Sequence, residues 1–488
     1  MRYILALSAG AGIPLSLAPI NLWPLGIFSI AAWFFLLTKV REQELLVGWL
    51  FGLGKFGVGV SWVYVSIHEY GNANEILSGF LVLLFICALS LFPLLMALCY
   101  RLIRSQNDIV NAVLFSSLFV FFEWMLTWVL SGFPWLYPAY GHLGTFLAGF
   151  APLGGIFLVS LVLVISSCFG LLVFLRISTK TSIVVALFPW LAGVALKQIE
   201  WVQPNGVKTV ALVQGNINQS TKWLSENQVP ISERYQSLSS PHRDVDTIIW
   251  PEAAITMFAH DAADLLAELD YAAKISSTTL VLGIPAVDVL PGEGLRFRNT
   301  AMALGVASGT YVKRRLVPFG EYVPMESLLR GTINFFDLPM SYGRPGNKVQ
   351  PLLKMDNAFA AMAICYEIVY PEMVRKQAIG ADVLITISND SWFGTSIGPF
   401  QHLEIARMRA LENGRWLLRA TNNGITGIVD HRGSIESVIP QFEAGVLRDS
   451  YTLMSGRTPF NKFGEWPVLV LLLLILGPSV GIRFFRKS

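Results

Sequence analysis

Residues 359–367 read Phe-Ala-Ala-Met-Ala-Ile-Cys-Tyr-Glu, an apolar run that ends in a thiol and a carboxylate. Two other short apolar runs also end in reactive groups: residues 247–252 read Thr-Ile-Ile-Trp-Pro-Glu, and residues 309–313 read Gly-Thr-Tyr-Val-Lys. Short apolar runs bounded by turn residues predict buried strands, and polar groups at strand ends commonly assemble a site. The three runs therefore predict a sheet structure that presents Glu252, Lys313 and Cys365 at strand ends.

The sequence around these runs, residues 201–465, alternates candidate strands with candidate helices. The candidate strands are residues 207–213, 247–250, 279–284, 300–304, 310–316, 359–364, 383–387, 416–420 and 424–429. The candidate helices are residues 226–239, 261–275, 369–378 and 399–412. Strands interleaved with helices predict an α/β domain, and strands that are apolar at successive positions indicate sheets covered on both faces.

The three reactive groups together suit nucleophilic acyl chemistry. A carboxylate can accept the thiol proton, while an ammonium stabilises both the thiolate and an oxyanion. Each residue alone has an ordinary explanation, a surface salt bridge or a thiol buried in the core. Cys365 has no partner for a disulfide within residues 201–465, because the other three cysteines lie in apolar stretches: Cys87, Cys99 and Cys168.

The rest of the chain is too apolar for a soluble protein. Charged residues make up 14% of the 488 residues, against roughly 25% in a soluble domain, and 53% are hydrophobic. Residues 1–200 contain only 16 charged side chains, whereas residues 201–465 contain 50. A net charge of +3 gives no reason to propose nucleic-acid binding. The sequence is that of a membrane protein.

Eight apolar stretches approach the roughly 20 residues that a membrane-spanning helix needs. They are residues 3–20, 22–38, 46–66, 76–100, 109–130, 152–175, 182–199 and 466–482. They predict a membrane domain of seven helices at residues 1–200, an exported domain at 201–465, and an eighth helix with a basic tail at 466–488.

Lysine and arginine residues predict the orientation of these spans. Positive residues concentrate on one side, which is the cytoplasmic side by the positive-inside rule. They are Arg2, Lys39, Arg41, Arg101, Arg104, Arg176, Lys180, Arg483, Arg486 and Lys487. The three short outside loops contain no Lys or Arg, and only Lys197 departs from the pattern. Both termini are therefore expected inside and residues 201–465 outside.

The motifs of the chain, taken in order, closely resemble the apolipoprotein N-acyltransferases, membrane relatives of the nitrilase (carbon–nitrogen hydrolase) superfamily. The resemblance rests on Trp-Pro-Glu at 250–252, Gly-Thr-Tyr-Val-Lys at 309–313, Leu-Val-Pro-Phe-Gly-Glu-Tyr-Val-Pro at 316–324 and Cys-Tyr-Glu at 365–367. It extends to Asn-Asp-Ser-Trp-Phe-Gly at 389–394 and to the layout of spans. The match covers the whole chain.

This resemblance implies a Glu–Lys–Cys triad at Glu252, Lys313 and Cys365 in an α-β-β-α sandwich. It implies transfer of a fatty acyl chain from a phospholipid resembling phosphatidylethanolamine, through a thioester on Cys365, to the N-terminal amine of a diacylglyceryl-cysteine lipoprotein. It also implies a multi-pass protein of the bacterial inner membrane whose catalytic domain is periplasmic. Lys313 would stabilise the oxyanion together with a backbone N–H after the cysteine.

Further residues match positions that are important in the family: Trp223, Asn299, Glu321, Tyr366, Glu367, Trp392 and Glu412. Glu321 and Glu367 are expected to orient the triad, or Glu321 to position the Lys313 amine. Trp223 and Trp392 are expected on mobile arms over the acyl entrance, at an interfacial depth where tryptophan is common. For each of these residues, packing or structural hydrogen bonding is the competing explanation.

Two other functions are compatible with parts of the sequence. A membrane-anchored amidase would hydrolyse a C–N bond with the same triad, although a single anchor would suffice for it. A transporter or lipid-binding scaffold with a degenerate catalytic domain is disfavoured by the intact triad.

Nothing in the sequence indicates a metal, nucleotide or redox cofactor, and nothing demands more than a monomer that contacts membrane lipids. Two charged residues, Lys55 and Glu123, fall within predicted spans. Such residues usually face the protein interior or a partner, here each other or a lipid headgroup. The alternatives are a misplaced span boundary or snorkelling to the interface.

Overall fold

The computed structural model describes residues 1–71, 73–290, 294–333 and 341–485. The chain divides into two compact units. A helical unit comprises residues 1–64, 75–200 and 458–488, and a second unit comprises residues 65–74 and 201–457. Arg486 and Lys487 of the predicted basic tail lie outside the described residues.

Helices account for the first part of the chain. They are α1 (Arg2–Leu15), α2 (Trp23–Phe35), α3 (Glu44–Gly59), α4 (Val63–His68), α5 (Glu75–Leu89), α6 (Leu91–Ile103), α7 (Asp108–Met125), α8 (Ala151–Phe174) and α9 (Thr179–Leu196). Among the described residues, five segments are helical, long and apolar enough to cross a membrane: Trp23–Val40, Glu75–Ile103, Asp108–Met125, Phe146–Phe174 and Thr179–Leu196. These five coincide with five of the eight predicted spans.

The other three predicted spans correspond to shorter helices. The predicted span 3–20 ends as a helix at Leu15, and Ser16 is its C-cap residue. The predicted span 46–66 is interrupted after Gly59, and a second helix begins at Val63. The last span lies in a helix of which Trp466–Ser479 is a shorter apolar segment.

Small residues let α1 and α3 pack backbone against backbone. A Cβ atom added to Gly10 would lie 2.0 Å from the carbonyl oxygen of Phe51, and one added to Gly54 would lie 2.0 Å from that of Leu7. Such close approach through small residues is typical of helix packing in membranes. It explains why glycines are frequent in α3 despite their low helix propensity.

Lys55 on α3 and Glu123 on α7 are both buried inside the helical unit, with 4% and 3% of their surface exposed. The Lys55 ammonium lies 5.4 Å from the ring centroid of Phe56 and 6.0 Å from that of Phe119. This burial contradicts snorkelling and agrees with the expectation that such residues face the interior.

The second unit contains thirteen strands among its described residues. They are β1 (Val202–Gln214), β2 (Thr247–Ile249), β3 (Thr279–Leu290), β4 (Gly294–Gly305), β5 (Ala307–Ser308), β6 (Thr310–Val312), β7 (Leu353–Met355), β8 (Ala358–Ile364), β9 (Val383–Ser388), β10 (Leu417–Thr421), β11 (Thr426–Val429), β12 (Ile435–Ile439) and β13 (Gly445–Gly456). The strands form a six-stranded sheet in the order β13-β1-β2-β3-β4-β6 and a seven-stranded sheet in the order β12-β11-β10-β9-β8-β7-β5. Strands β1–β2–β3 and β8–β9–β10 run parallel.

The predicted α-β-β-α sandwich is confirmed. One hydrophobic core contains side chains of both sheets, including Leu212 and Ile249 of the first and Ile364 and Ile385 of the second. A second core lies between the first sheet and two helices. The helices of the unit are α10 (Gln228–Ser239), α11 (Ala263–Ile275), α12 (Glu326–Leu329), α13 (Pro371–Gln377) and α14 (Gly398–Asn413). All four predicted helices are present, within a few residues at each end.

Two segments fall on the other side of the predicted domain boundaries. Residues 65–74 belong to the sheet-containing unit, where the Ser66 hydroxyl donates a hydrogen bond of 2.7 Å to the carbonyl of Trp392. Residues 458–465 belong to the helical unit and include α15 (Pro459–Phe463). The ring of Phe460 in α15 packs so closely on Gly155 that a Cβ there would lie 2.5 Å away. The final helix, α16, spans Trp466–Phe485.

Candidate active site

The three reactive residues follow strands in both sheets. Glu252 comes three residues after the end of β2, and Lys313 comes directly after β6 in the same sheet. Cys365 comes directly after β8 in the other sheet, and its side chain packs against the core between the sheets. The sandwich therefore supplies a base and a cation from one layer and a thiol from the other.

Lys313 is the centre of a buried charge cluster. Its Nζ lies 3.2 Å from Oε1 of Glu252 and 2.7 Å from Oε1 of Glu321, and its side chain is 1% exposed. The side-chain amide of Asn299 donates to both carboxylates, at 2.6 Å to Glu252 and 3.3 Å to Glu321. One ammonium and one amide thus hold the two carboxylates in place.

The remaining carboxylate oxygens are held by backbone N–H groups. The N–H of Asn389 donates to Oε2 of Glu252 at 2.8 Å, and the N–H of Val317 donates to Oε2 of Glu321 at 2.8 Å. The Asn389 side chain is itself fixed by a 2.7 Å hydrogen bond from its Nδ2 to Oε1 of Gln219. Because each carboxylate is bound at both oxygens, its orientation toward Lys313 is fixed before any substrate binds.

The electrostatics define the resting protonation states of the cysteine and the lysine. Burial raises the pKa of the Cys365 thiol, the charge of Glu252 raises it further, and the nearby Lys313 ammonium only partly offsets these effects. Burial alone would lower the pKa of Lys313, but Glu252 and Glu321 outweigh it and raise that pKa well above its usual value. At neutral pH the site therefore holds a protonated thiol beside a permanent cation.

Cys365 has a backbone φ of 53°, in the left-handed region that non-glycine residues rarely adopt. It is the first residue of a 3₁₀ turn, Cys365–Val369, that begins where β8 ends. Local strain of this kind is concentrated at functional sites. The turn projects the thiol from the end of a buried strand, as a nucleophile requires.

Glu367 connects the cysteine turn to the segment that carries the lysine. Its carboxylate accepts hydrogen bonds from the backbone N–H groups of Ile364 at 2.8 Å, Arg314 at 2.6 Å and Arg315 at 3.2 Å. The hydroxyl of Tyr311 donates to the same carboxylate at 3.0 Å. Glu367 is buried and holds the residue before the thiol next to the residues after Lys313.

The two predicted tryptophans differ in their surroundings. The ring of Trp392, in the 3₁₀ turn Asp390–Phe393, packs edge-on against the ring of Tyr70 with centroids 5.5 Å apart. Trp223 is 44% exposed and lies in the chain shortly before the start of α10 at Gln228. The Lys222 ammonium lies 6.0 Å from its ring centroid.

The two remaining predicted residues have packing partners within the unit. The ring of Tyr366 packs edge-on against Tyr370, with centroids 5.4 Å apart. Glu412 on α14 forms a fully buried ion pair with Arg409 at 2.6 Å, and Arg409 also donates to the carbonyl of Val369. These contacts favour a structural role for Glu412. Glu252 and Lys313 bind each other instead, and Lys313 also binds Glu321.

Sequence reasoning missed two residues that touch Glu252. Asn389 lies inside the Asn-Asp-Ser-Trp-Phe-Gly motif, but nothing in the sequence indicates that its backbone N–H binds Glu252. Lys222 is fully buried, and its ammonium donates to the backbone carbonyl of Glu252 at 3.2 Å. Burial lowers the pKa of Lys222 to about 8, although Glu252 raises it in part. Its only sequence signal was its place beside Trp223.

Within the described parts of the chain, no three His, Cys, Asp or Glu side chains are grouped in a way that would hold a metal ion.

Comparison with known proteins agrees with this geometry. The model of the apolipoprotein N-acyltransferase N-terminal domain matches residues 9–169, and the carbon–nitrogen hydrolase model matches residues 209–453. An apolipoprotein N-acyltransferase of Pseudomonas aeruginosa is 44% identical over 97% of this chain and 96% of that protein. The chain belongs to the apolipoprotein N-acyltransferase family.

More distant members of the family align over the same extent. The apolipoprotein N-acyltransferase of Vibrio parahaemolyticus is 39% identical over 97% of this chain and 96% of its own length.

Among solved structures, a nitrilase-superfamily protein of Saccharomyces cerevisiae is 18% identical, with a TM-score of 0.38, and covers 52% of this chain and 92% of that one. A carbon–nitrogen hydrolase of Helicobacter pylori is 14% identical, with a TM-score of 0.39, over 54% of this chain and 94% of that one.

Proposed function

We propose that this protein transfers a fatty acyl chain from a phospholipid to the N-terminal amine of a diacylglyceryl-cysteine lipoprotein, the last step of lipoprotein maturation. The observation that carries the proposal is the buried Lys313 ammonium, shared between Glu252 and Glu321 beside the thiol of Cys365. This is the arrangement that acyl transfer through a thioester needs, in a chain that matches the family along nearly all of its length.

In the first half-reaction, the Cys365 sulfur attacks the ester carbonyl of a phospholipid resembling phosphatidylethanolamine. Glu252 accepts the thiol proton, which is necessary because the raised pKa of Cys365 keeps the thiol protonated at rest. The Lys313 ammonium and the backbone N–H of Tyr366 stabilise the oxyanion. When the C–O bond breaks, the glycerol oxygen takes the proton from Glu252 and leaves as the lysophospholipid, with the acyl chain on sulfur.

In the second half-reaction, the neutral α-amine of the lipoprotein attacks the thioester carbonyl. Glu252, which is ionised again, accepts a proton from the attacking nitrogen. The C–S bond then breaks, an amide forms, and the proton passes to the departing sulfur. The enzyme returns to its resting state, so the two half-reactions form a ping-pong cycle.

The cluster around Lys313 keeps this cation available throughout the cycle. Glu252 and Glu321 both raise the pKa of Lys313, and the contribution of Glu321 remains when Glu252 takes up a proton. Glu321 is therefore the permanent counter-ion of Lys313, and Asn299 keeps the two carboxylates apart through its bifurcated donation. Together they position the base and the oxyanion donor.

The proposed location is the bacterial inner membrane, with residues 201–465 on the periplasmic side and both termini in the cytoplasm. Residues 65–74, predicted to be an outside loop, belong to the same compact unit as residues 201–457. Shared membership of one unit is expected if both are on the same side of the membrane. Residues 1–200 and the helix after 465 would anchor a monomer whose donor is a membrane lipid.

Trp223 and Trp392 are proposed to close the site over the acyl chain. Excluding water from the thioester would favour attack by the amine over hydrolysis. The partial exposure of Trp223 and the position of Trp392 directly after the buried motif residue Ser391 support this role. Amphipathic rings also suit a lid at a lipid boundary.

One experiment separates this function from its alternatives. Purified protein is incubated with acyl-labelled phosphatidylethanolamine and a diacylated lipoprotein, and the products are separated by mass spectrometry. Amide-linked label on the lipoprotein is the expected result, whereas free fatty acid alone would indicate a hydrolase of the amidase type. Absence of both products would indicate a scaffold. Cys365→Ala, which keeps the fold but removes the sulfur, is the control and should give neither product.

A further inference from the structure

A second buried polar network reaches Cys365 through its backbone carbonyl oxygen. Nε2 of His402 lies 3.2 Å from the backbone carbonyl oxygen of Cys365. Nδ1 of His402 lies 3.1 Å from Oδ1 of Asp390, and Arg419 binds Oδ2 of Asp390 at 2.6 Å. All three side chains are at most 1% exposed. The function proposed above uses none of them.

The hydrogen-bonding partners define the role of Nε2 of His402. A carbonyl oxygen can only accept, so Nε2 must carry the hydrogen that is donated to Cys365. Nδ1 of His402 lies between two partners of opposite kind: the Asp390 carboxylate at 3.1 Å can only accept, and Nη2 of Arg419 at 3.2 Å can only donate. Burial lowers the pKa of His402 and the Arg419 charge adds to this effect. Asp390 opposes this lowering, but the role of Nε2 is the same in either state of Nδ1: it donates to the carbonyl of Cys365.

Asp390 is held as firmly as the histidine. The Ser388 hydroxyl donates to Oδ1 of Asp390 at 2.6 Å, while Arg419 occupies Oδ2. A buried ion pair of this kind is weak evidence for stability, because desolvation of both charges opposes their attraction. Because His402 connects this ion pair to the backbone of Cys365, the pair instead indicates a positioning role.

The hydrogen bond from His402 controls more than the cysteine. Because a trans peptide is planar, the carbonyl of Cys365 and the N–H of Tyr366 point in opposite directions in one plane. Fixing the carbonyl therefore fixes the direction of the N–H. The left-handed φ of Cys365 leaves this peptide in a conformation that needs such support.

We propose that His402, held by Asp390 and Arg419, is a positioning residue that orients the Cys365–Tyr366 peptide and thereby aims the Tyr366 N–H at the oxyanion. This inference rests on the proposed function, in which that N–H stabilises the tetrahedral intermediate. It predicts a selective defect: steps that form an oxyanion on the substrate should depend on His402, whereas the accessibility and nucleophilicity of the thiol should not.

The test compares two reactions of Cys365 in the full-length protein in detergent. Acyl-enzyme formation from phosphatidylethanolamine passes through an oxyanion, whereas alkylation by iodoacetamide does not. His402→Phe keeps the shape of the ring but removes the donor, and it should lower the acylation rate roughly 10- to 100-fold, less than outright loss of an oxyanion donor. Its alkylation rate should change less than about threefold. His402→Gln, whose amide can donate from a similar position, should restore most of the acylation.

The deciding quantity is the acylation rate of Cys365 divided by its alkylation rate. Met408→Ala, at a fully buried position of the same helix, should lower stability without changing the ratio. Asp390→Asn should also lower the acylation rate, and that rate rather than the ratio decides the question if His402→Phe does not fold, because loss of the Asp390 charge by itself lowers the pKa of Cys365 and speeds alkylation. An unchanged ratio, or equal loss of both reactions without recovery in His402→Gln, would overturn the positioning role. A wild-type protein that never acylates Cys365 would instead refute the proposed function, and with it this inference.

Discussion

Replacing Lys313 with arginine keeps the positive charge but should remove nearly all acyl transfer. The Nζ atom lies 2.7 Å from Glu321 and 3.2 Å from Glu252, in a side chain that is 1% exposed. A guanidinium is planar and larger than an ammonium, so its donors cannot occupy the same point between two carboxylates and an oxyanion. The structure therefore predicts that charge alone does not preserve activity at this position.

The size of the effect can be estimated for two variants. Loss of one oxyanion donor costs about 10²–10³ in rate, or roughly 3–4 kcal/mol of transition-state stabilisation. Lys313→Arg should show this loss, with about 1–3 kcal/mol of destabilisation from overpacking. Lys313→Met should lose the same activity but more stability, about 3 kcal/mol, because it leaves two carboxylates without their cation. This value is at the low end of the range since the Glu321 side chain is 21% exposed.

The assay measures single-turnover acylation of Cys365 by phosphatidylethanolamine together with thermal unfolding of each variant. Both variants should fail to acylate, and Lys313→Met should unfold at the lower temperature. An arginine variant that retains more than a tenth of the wild-type acylation rate would refute the reasoning. The oxyanion donors would then have to lie elsewhere, and Lys313 would serve only to balance the two carboxylates.

The other predictions concern five side chains. Cys365→Ser should lose nearly all acyl transfer, because a hydroxyl is far less acidic than a thiol, and acylated lipoprotein is the readout. Glu252→Gln should abolish acylation yet speed alkylation of Cys365 by iodoacetamide at pH 8, since Glu252 raises the pKa of the thiol and its neutralisation increases the thiolate fraction. Trp223→Ala and Trp392→Ala should raise the ratio of free fatty acid to N-acylated lipoprotein, measured by mass spectrometry. Glu412→Ala should lower the free energy of unfolding by about 3–5 kcal/mol, measured by denaturation, because it leaves the Arg409 cation buried and unpaired.

Each of these predictions has a result that contradicts it. A serine variant with substantial transferase activity would show that thiol acidity is not needed. Slower alkylation in Glu252→Gln would mean that the carboxylate promotes rather than suppresses thiolate formation in the resting enzyme. An unchanged product ratio in both tryptophan variants would reduce Trp223 and Trp392 to packing residues. A Glu412 variant of normal stability but reduced chemistry would give that carboxylate a role in the reaction.

Most of the catalytic unit could be predicted from short-range sequence patterns. Strands such as β8 and β9 are buried on both faces, so they appear as continuous apolar runs. The pattern failed at β13, where Arg448, Asp449 and Ser450 interrupt the apolar residues. This strand lies at the edge of its sheet and pairs only with β1, so polar side chains are tolerated there. The predicted strand 310–316 was too long, because the N–H groups of Arg314 and Arg315 bind Glu367 instead of a neighbouring strand.

Reactive residues at strand ends predicted that Glu252, Lys313 and Cys365 share a site, but the groups that hold these side chains could not be predicted. The contacts of Glu252 with Asn389 and Lys222 join residues that are 137 and 30 positions apart, and one of the two uses a backbone N–H. Backbone donors leave no trace in residue identity. The same holds for His402, whose partner at Cys365 is a backbone carbonyl 37 positions away. Residue type indicates which side chains are capable of reacting, whereas only the fold shows which atoms hold them.

Mass spectrometry of the wild-type protein after incubation with phosphatidylethanolamine alone tests the central claim most directly. With no lipoprotein acceptor present, a thioester mechanism at Cys365 predicts one added acyl mass on the peptide that contains this residue. Hydroxylamine should remove the added mass because it cleaves thioesters. An acyl group on any other residue, or on Cys365 in a hydroxylamine-resistant form, would contradict transfer through a Cys365 thioester.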